Sequence, residues 1–213
     1  MDFDVVVIGA GPGGYPAAIR SAQLGRRVAI VEKEALGGTC LNWGCIPTKT
    51  LIASGDLYRQ AREGAALGVD CADVRFDYAR MVARKDEVVG KLSGGVKQLL
   101  KANGVEVIRG TARFEGPQRL SVRDADGATR WIQTGQTIIA TGSVSAMPGF
   151  LPRHPRVIES RAFLARTSLP ESLVVLGGGV IGCEFACLAA QLGTRVTVVE
   201  MLDDILPMID RDV

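Results

Sequence analysis

The chain has 213 residues, 47% of them hydrophobic, with 25 Lys and Arg against 23 Asp and Glu for a net charge of +2. This composition excludes a disordered chain, which combines low hydrophobicity with high net charge, and the near-neutral balance gives no electrostatic case for a nucleic-acid or anionic-membrane partner. No apolar run reaches the roughly 18 residues that a membrane helix requires.

From the N-terminus, Asp4–Ile8 reads as a strand. It begins so early that no signal or transit peptide is expected. It leads into Gly9-Ala10-Gly11-Pro12-Gly13-Gly14, an apolar helix, and a second strand that ends at Glu32. The same order returns 168 residues later. There Gly177-Gly178-Gly179-Val180-Ile181-Gly182 precedes an apolar helix and a strand ending at Glu200. Residues 22–32 and 190–200 agree at eight of eleven positions, and first glycine and glutamate are 23 residues apart in both copies. In a strand–G-x-G-x-x-G–helix unit the first glycine (Gly9, Gly177) makes the tight turn. The second (Gly11, Gly179) admits a pyrophosphate, and the third (Gly14, Gly182) lets the helix approach the sheet. The helix N-terminus then offers free amides to the phosphates. Glu32 and Glu200 stand where a carboxylate can accept from a ribose diol. Two copies in the right context predict two bound dinucleotides. The acidic Glu200 favours NAD over NADP at the second.

Between the copies lies Gly37-Gly38-Thr39-Cys40-Leu41-Asn42-Trp43-Gly44-Cys45-Ile46-Pro47-Thr48-Lys49. An odd total of five cysteines and no secretory signal favour reduced or redox-active thiols over a structural disulfide framework. Cys40 and Cys45 are more than a helical turn apart. They can close a disulfide only across a helix start with a distortion, which Gly44 permits. Cys45 would then lie near a helix N-terminus, whose dipole favours a thiolate. The bland reading is a pair of buried structural cysteines. No metal site is expected, since only two cysteines are close and the sole histidine, His154, is distant.

A helix is predicted over residues 50–67. A second is predicted within 70–104, with Met81, Val82, Val88, Val89, Leu92, Val96, Leu99 and Leu100 on one face. Asn103-Gly104 reads as its C-cap, and Gly94-Gly95 weakens the case for an unbroken helix. Five short runs follow (105–109, 111–114, 119–122, 130–133 and 137–140), with a turn signal at Asp126-Gly127. They read as a small antiparallel meander attached to a parallel sheet. Residues 148–170, rich in proline and arginine, read as a connection. His154, Cys71, Cys183 and Cys187 are assigned no chemistry.

The residues Gly9–Gly14, Gly37–Lys49, Ile138–Ser143, Pro148-Gly149 and Gly177–Glu200 resemble the flavin-dependent pyridine nucleotide–disulfide oxidoreductases over the whole chain. The likeness is greatest to their dihydrolipoamide dehydrogenase branch, although glutathione- and mercuric-reductase-like members share much of the pattern. The resemblance implies an α/β fold, with a Rossmann-like FAD-binding domain carrying an antiparallel meander over residues 1–147. After the connection it implies the start of a Rossmann-like NAD-binding domain over 171–213. It implies that FAD lies along Gly9, Gly11, Pro12, Gly13, Gly14, Glu32, Lys33, Gly38, Thr39, Cys40, Lys49, Thr111, Ala112, Thr141, Gly142 and Ser143. NAD would lie along Gly177, Gly178, Gly179, Val180, Ile181, Gly182 and Glu200.

In the catalytic roles that the resemblance implies, Cys45 forms the contact with the flavin and Cys40 exchanges with the substrate as the other half of a redox disulfide. Lys49 places positive charge beside the flavin, with Glu184 as its acidic partner. The implied partners are the lipoyl-bearing component of a 2-oxo acid dehydrogenase complex, or a small dithiol or disulfide, and a second subunit in a homodimer. The implied location is cytoplasmic. The second motif region, from Glu171 to Val213, is 43 residues long, and the acid–base pair with a histidine that the resemblance implies is not expected here, the only histidine being His154. The expectation is therefore a portion of an enzyme about twice as long, inactive alone. The contrasting expectation is a non-catalytic nucleotide-binding protein.

Overall fold

The computed structural model describes residues 1–210 and Asp212. It divides into two compact units, Met1–Ile46 with Val89–Ala146, and Pro47–Val88 with Met147–Val213.

The first unit begins with β1 (Phe3–Ile8), α1 (Tyr15–Gln23), β2 (Val28–Glu32) and α2 (Gly38–Trp43), followed by the opening of α3 (Cys45–Glu63). It resumes in the second half of α4 (Tyr78–Ala102) and continues through β3 (Glu106–Arg109), β4 (Thr111–Gly116), β5 (Arg119–Arg123) and β6 (Thr129–Ile139). Among the described residues these strands form one six-stranded sheet in the order β3-β2-β1-β6-β5-β4. The pairs β3-β2, β2-β1 and β1-β6 are parallel, and β6-β5 and β5-β4 antiparallel.

Strand β6 joins the two halves. Its first residues pair antiparallel with β5 (Arg123 opposite Thr129), and its later ones pair parallel with β1 (Ile8 opposite Ile139). The two runs expected at 130–133 and 137–140 are therefore one strand, and the run at 105–109 belongs to the parallel sheet as β3 rather than to the meander. The alternation of side chains across the sheet explains the nearly continuous apolar sequence of β1 and β2. Val5, Val7, Val28 and Ile30 face a core shared with Ala18, Val96 and Leu100, whereas Val6, Ile8, Ala29 and Val31 face one shared with Leu120, Val122 and Ile132.

The second unit holds most of α3, a 3₁₀ turn (Gly64–Leu67), the first half of α4, α5 (Ser160–Leu164), β7 (Ser172–Leu176), α6 (Val180–Gln191) and β8 (Arg195–Val199). Strands β7 and β8 pair in parallel. The core of this unit brings together Leu51, Tyr78, Val82, Phe163, Leu164, Phe185, Leu188 and Leu192. Lys85 is almost fully buried. Its ammonium donates to Leu164 O at the end of α5 and pairs with Asp86.

Two helices differ from their expected bounds. Helix α3 starts five residues earlier, at Cys45. Helix α4 starts only at Tyr78, where the Asp77 carboxylate accepts from the Arg80 amide and satisfies one of the free first-turn donors. Gly94 and Gly95 do not interrupt α4, and a Cβ added to either meets nothing within 4 Å. Gly104 closes the helix with φ of +70°. At Gly14 an added Cβ would stand 1.8 Å from Gly9 O, so the close approach of α1 to β1 depends on its being glycine.

Gly94→Ala is therefore expected to raise stability by about 0.5–1 kcal/mol. Gly14→Ala is expected to lower it by about 2–4 kcal/mol. Chemical denaturation checks the opposite signs.

Candidate functional site

The two glycine-rich segments adopt one geometry. In the first, Gly9 has φ of +99° and donates to Val31 O at 2.8 Å; in the second, Gly177 has φ of +103° and donates to Val199 O at 2.8 Å. These positions are equivalent under the 168-residue offset, as are the turn glycines Gly25 and Gly193, at φ of +78° and +91°. At Gly9 an added Cβ would stand 2.2 Å from Ala140 O, so the backbone after β6 lies directly against the turn. Gly182 repeats the role of Gly14, with an added Cβ 2.1 Å from Gly177 O.

The terminal glutamates are bound to the loops they follow. Glu32 Oε2 accepts from the Ala10 amide at 2.7 Å, and its Oε1 from the Glu34 amide at 2.8 Å. Glu200 Oε2 accepts from the Gly178 amide at 2.6 Å, and its Oε1 from Met201 and Leu202 at 2.7 and 2.9 Å. Ala10 and Gly178 are equivalent positions, and so are Glu34 and Leu202. The amides of Leu202, Gly178 and Met201 hold the Glu200 carboxyl below the usual carboxylate range. At Glu32, two of roughly four acceptor sites are taken, which leaves capacity for a ligand diol.

Other expected nucleotide residues gather around the first loop. The backbone of Glu32 accepts from Gly110 N at 3.0 Å, which places Thr111 and Ala112, at the start of β4, one step from that carboxylate's strand. Thr141–Ser143 is exposed and follows Ala140, whose amide donates to Ile8 O at 2.8 Å. A Cβ added to Gly38 would stand 2.6 Å from Gly11 Cα, so the turn before Thr39 lies against the phosphate loop. Lys33 is exposed beside Glu32.

Neither α1 nor α6 has a side chain capping its N-terminus; Gly14 and Gly179 occupy the cap positions. In α1 the Gly14 and Tyr15 amides donate to Gly11 O and residue 16 is proline, so the fit to a ligand rests on the glycine turn and the glutamate. Backbone-only approach and a carboxylate at the strand end suit an FAD diphosphate and ribose in the first unit, and a second dinucleotide along Gly177, Gly178, Gly179, Val180, Ile181, Gly182 and Glu200.

Cys40 lies in α2 and Cys45 is the first residue of α3. Gly44 between them has φ of −139° and ψ of −113°, outside the helical region. A Cβ there would stand 2.9 Å from Thr39 O and 3.2 Å from Cys40 Cα. The backbone thus folds back onto Cys40 immediately before Cys45. Cys45 is exposed and Cys40 half-buried. One turn further along α3, the Lys49 ammonium donates to Glu184 Oε1 of α6 at 2.5 Å. The lysine side chain is 58% exposed, so the pair contributes little to stability and serves to orient the ammonium.

Several contacts lie outside the expected site. The thiol of Cys183 donates to Gly178 O at 3.2 Å. Gly37 donates to Ala10 O at 2.8 Å. Asn42 holds the carbonyls of Leu36 and Gly38. Only the position of Asn42 between two cysteines signals its role in the sequence. His154 is exposed, its Nδ1 accepting from the Arg156 amide. Among the described residues no cluster of three or more His, Cys, Asp or Glu could hold a metal ion, and no helix is long and apolar enough to cross a membrane.

Because its folded-state pKa is depressed, Glu200 contributes stability that is present above the ordinary glutamate range and lost as the pH falls through the lowered value. Glu200→Gln is expected to flatten that acid limb of the stability curve, measured by denaturant unfolding at a series of acidic pH values. An unchanged limb would contradict the assignment.

Comparison with known proteins bears on this geometry. The sequence profile described as pyridine nucleotide-disulphide oxidoreductase matches residues 3–213. A dihydrolipoyl dehydrogenase of Halobacterium salinarum is 49% identical over 213 residues, covering 99% of this chain and 45% of that protein. A leghemoglobin reductase of Vigna unguiculata is 43% identical over 213 residues, covering 99% of this chain and 41% of its own length. Among solved structures, the Cu(II) complex of the HOCl-induced flavoprotein disulfide reductase RclA from Escherichia coli superposes with a TM-score of 0.85 at 33% identity, covering 100% of this chain and 45% of that one. The chain thus spans less than half the length of these relatives.

Proposed function

The chain belongs to the pyridine nucleotide-disulphide oxidoreductase family, and we propose that it forms the FAD-binding and dithiol-exchanging part of a dihydrolipoamide dehydrogenase that delivers electrons to NAD. The observation that carries this reading is the backbone reversal at Gly44. It brings the chain back against Cys40 just before Cys45, beside a glycine turn that abuts the first phosphate loop. The similarity to dihydrolipoyl dehydrogenases supports a lipoyl-type dithiol as substrate, which we assign to a component of a 2-oxo acid dehydrogenase complex. We assign residues 1–147 to the FAD domain, 148–170 to the connection and 171–213 to the start of the NAD domain. A homodimer is assigned to the full-length protein by family.

The chemistry of the chain's own residues is a thiol–disulfide exchange. One substrate thiolate attacks Sγ of Cys40 in the Cys40–Cys45 disulfide, breaking the S–S bond and releasing the Cys45 thiolate. The second substrate thiol then displaces Cys40 from the mixed disulfide. The substrate leaves as a disulfide, oxidised by two electrons, and both cysteines are reduced. FAD, when bound, supplies the two-electron relay between this dithiol and the nicotinamide. Lys49, oriented by Glu184, is assigned the positive charge that stabilises the reduced cofactor. Glu32 is assigned the adenosine ribose of FAD. Glu200 is assigned the ribose of NAD, where its charge repels a 2′-phosphate.

The test is anaerobic addition of dihydrolipoamide to the FAD-loaded protein, with visible absorption as the readout. A long-wavelength band is expected on two-electron reduction. Cys45→Ser is expected to abolish the band and to lower reduction by the dithiol at least 100-fold. A Cys45→Ser protein that is reduced at the original rate would overturn the proposal.

A further inference from the structure

Asn42 lies between Cys40 and Cys45 and uses its whole amide. Its Nδ2 donates to Leu36 O and to Gly38 O, each at 2.9 Å, and its Oδ1 accepts from Ser93 Oγ at 3.0 Å. The first two partners bracket a turn that needs holding, for Gly37 and Gly38 have φ of +91° and +59°. The amide of Gly37 donates to Ala10 O of the first phosphate loop. The third partner sits on α4, and Leu36 is buried in the core that α4 helps to form.

Helix α2 has six residues, no side-chain cap at Gly37, and a distorted exit at Gly44. A helix of that length does not sustain itself. Its orientation therefore depends on tertiary contacts, and the side chain of Asn42, two residues from Cys40, supplies one of them to Ser93 while its other two bonds hold the turn at the helix entry. A disulfide tolerates only a narrow range of Cα separation and dihedral angle. Small displacements of α2 relative to the fixed start of α3 must consequently change the balance between the closed disulfide and the open dithiol.

We propose that Asn42, braced by Ser93, is a positioning residue that sets the redox equilibrium of the Cys40–Cys45 pair and ties it to the phosphate loop. The inference rests on the reading of Cys40 and Cys45 as a redox pair. Asn42→Asp keeps the shape but has no hydrogen to give Leu36 O and Gly38 O, and it places charge against both carbonyls. Ser93→Ala removes only the brace, and Ser93→Thr restores a hydroxyl.

The experiment equilibrates the purified protein anaerobically with mixtures of reduced and oxidised dithiothreitol, quenches by alkylation, and counts blocked Cys40 and Cys45 by peptide mass. Asn42→Asp is expected to change the equilibrium constant at least tenfold. Ser93→Ala should change it less and in the same direction, and Ser93→Thr should return it towards the original. Asn42→Asp and Ser93→Ala proteins with native unfolding midpoints and an unchanged constant would overturn the inference. Should Asn42→Asp not fold, the Ser93→Ala and Ser93→Thr pair decides on the same criterion. An unsubstituted protein that forms no Cys40–Cys45 disulfide in any mixture would overturn the reading of the pair and, with it, this inference. A disulfide that forms normally but ignores these substitutions would overturn the inference alone.

Discussion

A carboxylate at the end of a strand reaches back to the first amide after a glycine turn, and much of the molecule is arranged around that closure. Glu32 does this to Ala10, and Glu200 does it to Gly178. A charged acceptor on a backbone amide is among the stronger hydrogen bonds available to a protein. It fixes the turn, which fixes where the following helix begins. The glycines permit the conformation, because a Cβ at Gly14 or Gly182 would collide with the carbonyl of Gly9 or Gly177. The glutamates hold it. The same closure in both copies, with the same strand register and turn glycines, means that one physical solution is used twice.

The surroundings of the two copies differ. The first is built into a six-stranded sheet with a core on each face, and Glu32 is buried. The second rests on a two-stranded pair whose Val174, Leu176 and Val199 are substantially exposed, and Glu200 is partly open to solvent. The cysteine segment belongs with the first copy. Its two left-handed glycines lean on the first glycine loop, so the cysteine segment and that loop share a backbone contact, Gly38 against Gly11.

The sequence reveals what depends on local rules. Turn glycines, the glutamate spacing and the C-cap at Gly104 are set by residues within a turn or two of one another, and their pattern is visible without tertiary knowledge. Features set by distant partners were not legible. Strand β6 reads as two runs because Gly135 interrupts the apolar pattern. In the structure that glycine allows the backbone to pass close to Asp4 O, where an added Cβ would stand 3.0 Å away, just where pairing passes from β5 to β1. Run 105–109 resembles the meander strands in composition, and only its pairing with β2 assigns it to the parallel sheet. The role of Asn42 needs Ser93, 51 residues away. The spacing of Glu32 and Glu200 marked them as carboxylates at a nucleotide site, but their binding to loop amides depends on the folded turn.

The central proposal is that each copy holds its own dinucleotide through its own glutamate. Equilibrium titrations of the protein with FAD and, separately, with NAD test it most directly, comparing Glu32→Gln with Glu200→Gln. Glu32→Gln is expected to weaken FAD roughly tenfold or more and leave NAD unchanged, and Glu200→Gln to do the reverse. Equal losses for both ligands in both variants, or unchanged affinities throughout, would contradict the account.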